Sequence, residues 1–573
     1  MRTNGKWTTE WVKALSAWHP QYDEEARLLR KPFSSPGYHT TLKGGLVHPT
    51  RESLVYAVAL LDSGEEEHRS RAFDIIDRVV SLQDTDRSSP TFGIWSWFYE
   101  EPLAMMSPPD WNWADFCGKQ LLLAAIRHGG AFPPELLERT ERAVLNSCDA
   151  IIKRDVGPDY TNIAIMGAFV TLIAGERFGE ARCREYGLER LAKFYRHTKE
   201  QGTFTEYNSP TYTIVAIEEL SSIATETRLE DAKVMVAELL DTAWEMVAYH
   251  FHPVLKQWSG PHSRAYRTML NAGTLTFLQM ACGGNIRLLP DERLEFGLTW
   301  YGNDIRCPDK YVPYFLEAGE RERAGTIAKP KDGAPPRTAT MYMNGAFSLG
   351  TFGSEIMWNQ RRNLLAYVAN GDGCAYVHLR VLRDGYDLSS AVFAGVQRRG
   401  DVLYAIRFAT DGGGTHPNLD PVNGVVRASD LRIRLEIGGS REGLSIDRRE
   451  GAVDIRFPGV RMRLVPLHGT LGGATAFDWD VADGEDTTGV DLVLYAGEPR
   501  EFDFRSIPDA CFVFALSISE SDIASTASIN PTADEVECRL VPEKGGDIRL
   551  TVSTKPDTIA ELHANVKTGR NDP

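Results

Sequence analysis

The sequence predicts an α+β multidomain chain, with an N-terminal (α/α) toroid of helical hairpins followed by a large antiparallel β-sandwich. Three observations carry this prediction. Apolar residues recur at helical spacing up to about residue 325, they alternate at strand spacing beyond it, and a Pro-, Gly- and Lys-rich stretch separates the two textures. That stretch, AKPKDGAPPRTAT (328–340), has the composition of a linker. The expected units are therefore 1–327 for the toroid, 328–340 for the linker and 341–573 for the sandwich.

The helical half reads as roughly ten helices. Clear cases are RESLVYAVALLDSG (51–64), FDIIDRVVSLQ (73–83), DFCGKQLLLAAIRHGG (115–130) and PELLERTERAVLNSCDAIIKRD (134–155). The series continues through NIAIMGAFVTLIAG (162–175), AKVMVAELLDTAWEMVAYHF (232–251) and MLNAGTLTFLQMACGG (269–284). Several of these close on Gly, as a C-cap requires. No fixed repeat period is visible, which argues against a TPR or ankyrin array and for hairpins of unequal length. Strands are expected at LLAYVA (364–369), YVHLRVL (376–382), LRIRLEIGG (431–439), VDIRFPGVRMRLVPL (453–467), VDLVLYAG (490–497) and IRLTVS (548–553), punctuated by Gly- and Asp-rich turns.

Composition narrows the function. With 573 residues, 42% hydrophobic and 25% charged, the chain is neither disordered nor a disulfide-stapled miniature. Sixty-three Lys and Arg against 79 Asp and Glu give a net charge of −16, which argues against nucleic-acid or anionic-membrane partners. An acidic ligand would need a local basic cleft. Eight cysteines occur without a C-x-x-C pair, so no zinc or redox motif is predicted, no metal or cofactor is expected, and the cysteines read as buried apolar residues. The first residues lack the apolar core of a signal peptide, and no apolar run reaches 18 residues. The expectation is an intracellular protein, or a secreted one numbered after a leader was removed. The oligomeric state is left open.

Four segments offer chemistry. In DYTNIAIMG (159–167), Asn162 opens an apolar helix, where it reads either as an N-cap or as a ligand-binding amide. TFTEYNSPTYT (203–213) gathers Glu206, Tyr207, Asn208 and Tyr212 around a proline, a set that is costly to bury without partners and so is expected to face a polar cleft. An Asx-type turn with a packed Tyr is the competing reading. WSGPHSRAYRT (258–268) combines Trp258, His262, Arg264, Tyr266 and Arg267, and a helical conformation there would put His262 and Tyr266 on one face. Finally, FGIWSWFYEEPLAMMSPPDWNWADF (92–116) interleaves Trp95, Trp97, Trp111 and Trp113 with Glu100, Glu101, Asp110 and Asp115. Ten of the 12 tryptophans precede residue 301, a bias that suggests aromatic platforms for sugar rings, with core packing as the alternative.

A helical toroid followed by a sandwich, with Asn, His, Arg and Tyr in the toroid, resembles the polysaccharide lyases of the heparinase II/III, alginate-lyase and chondroitin-AC-lyase type. The resemblance implies β-elimination on a uronate-containing glycan, an acidic substrate. It assigns Asn162 or Asn208 to neutralising the uronate carboxylate, with Arg264 assisting, and His262, Tyr266 and Tyr212 to acid and base roles. Trp111, Trp113, Trp258 and Glu206 are then expected to bind substrate. Several such lyases carry His directly after the Asn, whereas Ile163 follows Asn162. The segment 343–362 is similar to stretches that lean over the cleft in these enzymes, which implies that Trp358, Gln360 and Arg361 reach the substrate, with packing of the first strand as the alternative reading. Two other readings stay open: a glycoside hydrolase using Glu206 with Asp115 or Glu101, and a non-catalytic carbohydrate-binding protein.

Overall fold

The computed structural model describes residues 5–571 except 36, 331–332, 414–419, 421, 450, 474–476 and 544. Its architecture is α+β, helices first and antiparallel sheets after. Among the described residues ten α-helices precede residue 282: α1 (Gly5–Ser16), α2 (Thr50–Asp62), α3 (Glu66–Ser81), α4 (Trp113–His128), α5 (Pro134–Arg154), α6 (Thr161–Phe178), α7 (Ala181–Gln201), α8 (Tyr212–Glu226), α9 (Glu230–His250) and α10 (Ala272–Ala281). Successive pairs from α2 to α9 form hairpins, and α2, α4, α6 and α8 also pack side by side as an inner layer. Sequence explains the layering. In α6 every residue from Thr161 to Gly175 is buried, whereas α5 and α7 bury one stripe and expose charged faces. The α6–α7 contact depends on glycine: a Cβ on Gly187 would lie 2.4 Å from the Leu172 backbone nitrogen, and one on Gly175 would lie 2.2 Å from that of Arg184.

Because each hairpin returns the chain, the inner helices point the same way and their ends collect at two poles. At the C-terminal pole Asp62, Arg127, Arg177 and Glu226 form a charged clasp, with Arg127–Glu226 at 3.2 Å and Arg177–Glu226 at 3.1 Å. Arginines there also complement the negative ends of the helix dipoles. At the N-terminal pole Trp113 Nε1 donates to Thr50 Oγ1 (3.0 Å), and the Asn162 backbone N–H donates to Glu206 Oε2 (3.2 Å).

The expected linker is instead part of a hairpin. Strand β1 (Arg321–Ala328) pairs with β2 (Arg337–Met343), so the sheet region starts at Arg321, and the two strands take in both ends of the Pro- and Gly-rich stretch. The following strands are β3 (Phe347–Phe352), β4 (Ser354–Ile356), β5 (Leu364–Asn370), β6 (Gly373–Arg383), β7 (Ala391–Arg398), β8 (Asp401–Phe408), β9 (Val425–Gly439), β10 (Ser445–Arg449), β11 (Ala452–Phe457), β12 (Val460–Leu471), β13 (Trp479–Asp483), β14 (Thr487–Asp503), β15 (Ala510–Ser519), β16 (Thr526–Pro531), β17 (Glu535–Val541), β18 (Ile548–Ser553) and β19 (Lys567–Arg570). One sheet runs β13-β14-β9-β6-β5-β3-β2-β1, with the short strand Tyr386–Asp387 also on β6; a second runs β4-β7-β8-β15-β12-β11-β10; a third runs β16-β17-β18-β19.

The first two sheets pack face to face as the sequence predicts, but the third adds a layer. Strand periodicity shows why. On β8, Val402, Tyr404 and Ile406 enter the core shared with the first sheet, while Leu403 and Ala405 pack against the third. On its other face the first sheet meets the helical half through Leu365, Tyr367 and Tyr376 against Leu255. There a Cβ on Gly350 would lie 2.0 Å from the Gly260 carbonyl oxygen, so two glycines allow backbone to rest on backbone. All eight cysteines are buried and free. Among the described residues no helix is long and apolar enough to cross a membrane.

Candidate active site

Residues 259–271, between a short hairpin and α10, are not helical. They lie instead along the loop joining β4 to β5: His262 and Arg362 exchange backbone hydrogen bonds at 3.2 and 2.9 Å, and the Ala265 N–H donates to the Gln360 carbonyl at 2.6 Å. Along this non-helical path His262 is fully buried while Tyr266 is 53% exposed. The expectation that both share a helix face is thus overturned.

Arg264 is the centre of what faces outward. Its Nη1 donates to Glu206 Oε1 (3.0 Å), and its Nε (3.2 Å) and Nη2 (3.0 Å) donate to Gln360 Oε1. The guanidinium carbon stands 4.3 Å from the Tyr212 ring centre and 5.6 Å from that of Trp358, and Nη2 is 3.4 Å from the Tyr266 hydroxyl. The Tyr212 and Tyr266 hydroxyls are 2.5 Å apart. Burial, partly opposed by Arg264, holds the Tyr212 phenol far above its ordinary range, so Tyr212 keeps its proton, and either hydroxyl of the pair can donate to the other. Burial also raises the Glu206 carboxyl, with Arg264 acting against it. Tyr38 and Tyr160 complete the ring of phenols, both raised by burial and both lowered in part by Arg264. Beside Tyr266 a cavity of about 340 Å³, lined also by Ile214, Met269, Leu270 and Trp300, has room for a sugar unit.

Several expected residues are placed elsewhere. Asn208 is fully buried with φ of 48°; its Nδ2 donates to the carbonyls of Ser259 and Pro261 (both 2.9 Å), and its Oδ1 accepts from Trp258 Nε1 (2.6 Å). Its amide is therefore spent on shaping the loop that carries Arg264. His262 donates from Nδ1 to the Asn208 carbonyl (2.6 Å), and burial pushes its pKa down to about 3. It is a neutral loop anchor, removed from solvent. Trp258 is fully buried, and Trp113 is buried with its ring centre 5.2 Å from that of Trp97, so neither is a sugar platform. Trp111 is half-buried and donates from Nε1 to the Pro90 carbonyl (3.2 Å).

Asn162 lies at the inner-helix pole, one residue inside α6. It does not cap the helix through its side chain, and its buried Oδ1 has no partner among the described residues. Of the proposed carboxylate partners, Asp115 is buried and burial pushes it up to about 7, with Arg190 pulling the other way. Glu101 is buried too, and its Oε1 accepts from the Thr41 N–H and hydroxyl (both 2.6 Å). Arg361 pairs with Glu355 rather than facing the ring.

Among the described residues no cluster of His, Cys, Asp and Glu is built to hold a metal. Tyr38 and Tyr160 escaped the sequence reading. Tyr160 stands two residues before Asn162 in a segment already singled out, and Tyr38 follows a Pro-Gly turn, the one local sign of a loop shaped to present a side chain.

Residues 13–281 match a family model described as a domain of unknown function, DUF8769. No curated protein matches the chain. Among solved structures, the chain is similar to a heparinase III (TM-score 0.45, 11% identity, 88% of this chain and 82% of that one). It is similar to a heparan sulfate lyase mutant from Pedobacter heparinus (TM-score 0.37, 11% identity, 100% and 90%). It is also similar to the chondroitin AC lyase of Streptomyces coelicolor A3, solved with chondroitin sulphate (TM-score 0.46, 9% identity, 96% and 90%).

Proposed function

We propose that the protein is a polysaccharide lyase that cleaves a uronate-containing glycan by β-elimination. In this reading the hairpins form an incomplete toroid whose N-terminal pole is the substrate cleft. The observation that carries the proposal is the 2.5 Å contact between the Tyr212 and Tyr266 hydroxyls beside the Arg264 guanidinium.

The chemistry fits these groups. Elimination removes the C5 proton next to the uronate carboxylate, forms the C4–C5 double bond and breaks the C4–O bond. Tyr266, reachable from solvent, takes the C5 proton as its phenolate. The Tyr212 hydroxyl and the Arg264 guanidinium both contact that oxygen, at 2.5 and 3.4 Å. The Arg264 N–H groups not engaged by Glu206 and Gln360 are donors to the carboxylate, where enolate charge develops. The positive ends of α4, α6 and α8 add to the same potential, in an otherwise acidic protein. The proton on Tyr266 then passes to the departing C4 oxygen.

Ultraviolet absorbance of the new double bond, followed with a reducing-end assay on a panel of uronate glycans, tests the reading. Absorbance rising with new ends is the expected result. New ends without absorbance favour the second reading, hydrolysis, whose one supporting observation is the raised Glu206 carboxyl, suited to a general acid. In that case Glu206→Gln, rather than Tyr266→Phe, abolishes turnover.

A further inference from the structure

The second sheet buries a cation with no partner among the described residues. Arg407 on β8 is fully buried, and none of its Nε, Nη1 and Nη2 atoms has a hydrogen-bond partner among the described residues. Alternation along β8 places it on the face of Leu403 and Ala405, away from the core shared with the first sheet. Register sets it between Val392 on β7 and Cys511 on β15, and sets Cys511 beside Thr470 on β12. The Thr470 hydroxyl is buried and lacks a partner as well.

The chain after β18 roofs this row. The Ala510 N–H donates to the Thr554 carbonyl and the Thr410 N–H to the Asp557 carbonyl, both at 2.8 Å. Helix α11 (Ile559–Ala564) then seats Leu562 on Val392 and Ala409. His563 on this helix lies 2.7 Å from Ser354 Oγ through Nδ1, while its Nε2 is buried with no partner among the described residues.

Charge balance makes the arrangement unusual. Burial pushes Arg407 down only to about 10, so it remains a cation at neutral pH. The ionisable group facing it is Cys511, whose thiol burial pushes up to about 12 and so keeps protonated. Burial pushes His563 down to about 4, leaving it neutral, and nearby Glu355 is committed to Arg337 and Arg361. Asp509, near Cys511, has a buried Oδ1 without a hydrogen-bond partner and makes no ion pair with Arg407 among the described residues. An uncompensated charge in such a place is strongly unfavourable, and folded proteins pair it.

We propose that Arg407, Thr470 and His563 form a buried binding site for a small monovalent anion of the halide class, clamped between the second sheet and the segment 554–563. The guanidinium supplies several N–H donors and the threonine a hydroxyl, and the imidazole adds an N–H at Nε2 in the tautomer in which the Ser354 hydroxyl turns from the Phe393 carbonyl (3.2 Å) to Nδ1 (2.7 Å). Apolar Val392 and Leu562 close the surroundings, which selects a small anion that sheds water readily over sulfate or a glycan. The bound anion ties the C-terminal segment to the sheet.

The test uses the full chain, titrated with sodium bromide against sodium gluconate at constant ionic strength while the thermal midpoint is followed. The wild type is expected to rise saturably by roughly 2–4 °C, and Arg407→Leu to show no bromide-specific rise. An equal response in both proteins, or none in the wild type, overturns the proposal. Should Arg407→Leu fail to fold, wild-type crystals grown in bromide decide: an anomalous peak within hydrogen-bond distance of the guanidinium supports the site, and its absence refutes it.

Discussion

Arg264 touches more of the candidate site than any other residue described there: two phenols, a carboxylate, an amide and an indole. Its replacement by Ala is expected to lower kcat/KM about 10²–10⁴-fold, and by Lys to restore little, because an ammonium cannot hold Glu206 and Gln360 in one plane. Steady-state kinetics on the glycan that the absorbance screen identifies checks this. Tyr266→Phe should abolish elimination. Tyr212→Phe should lower kcat with KM little changed, since Tyr266 loses the hydroxyl 2.5 Å away; an unchanged kcat would remove Tyr212 from the mechanism. His262 acts on stability instead. Its folded pKa of about 3 lies below the ordinary 6.5, so the unfolded chain takes up the proton first and stability falls as pH drops from about 6.5 toward 3. At pH 4.5 this amounts to roughly 2–3 kcal/mol. The fall in thermal midpoint between pH 7 and 4.5 should be shallower in His262→Gln than in wild type, and equal slopes would contradict a buried neutral imidazole.

Among the elements, the inner helices owe their shared direction to hairpin connectivity and their spacing to small residues. Gly187 has no room for a methyl group, so Gly187→Ala should separate α6 from α7 and cost about 1–3 kcal/mol in denaturant unfolding. At the clasp, Glu226 is buried between Arg127 and Arg177. Glu226→Ala leaves two arginines facing each other and is expected to destabilise by about 3–5 kcal/mol with KM unchanged, because the clasp and the cleft are at opposite poles. A change in KM of equal weight would show that the poles are coupled.

Across the whole molecule, the helical half and the first sheet build the site together. Arg264 comes from one and Gln360 from the other, and the Gly260–Gly350 contact sets their distance. Gly350→Ala should therefore reduce kcat while the protein stays folded, as activity and far-ultraviolet circular dichroism measured on the same sample can check. The sequence by itself determined the order of helices and sheets, because apolar period changes from 3.6 to 2 along the chain, and it singled out the segments holding Asn162, Glu206, Tyr212, Arg264 and Tyr266. It could not tell which members of those segments face outward. Asn208, His262 and Trp258 have the residue types of a polar cleft, yet they bury one another as a loop anchor, and the non-helical path of 259–271 is held by backbone hydrogen bonds to Gln360 and Arg362 in a loop far along the chain. The third sheet and the stranded Arg407 were equally hidden, since a strand buried on both faces shows its partners only when the layers are assembled. Periodicity is a local property of the chain, whereas hydrogen-bond partners and burial are set by residues hundreds of positions away.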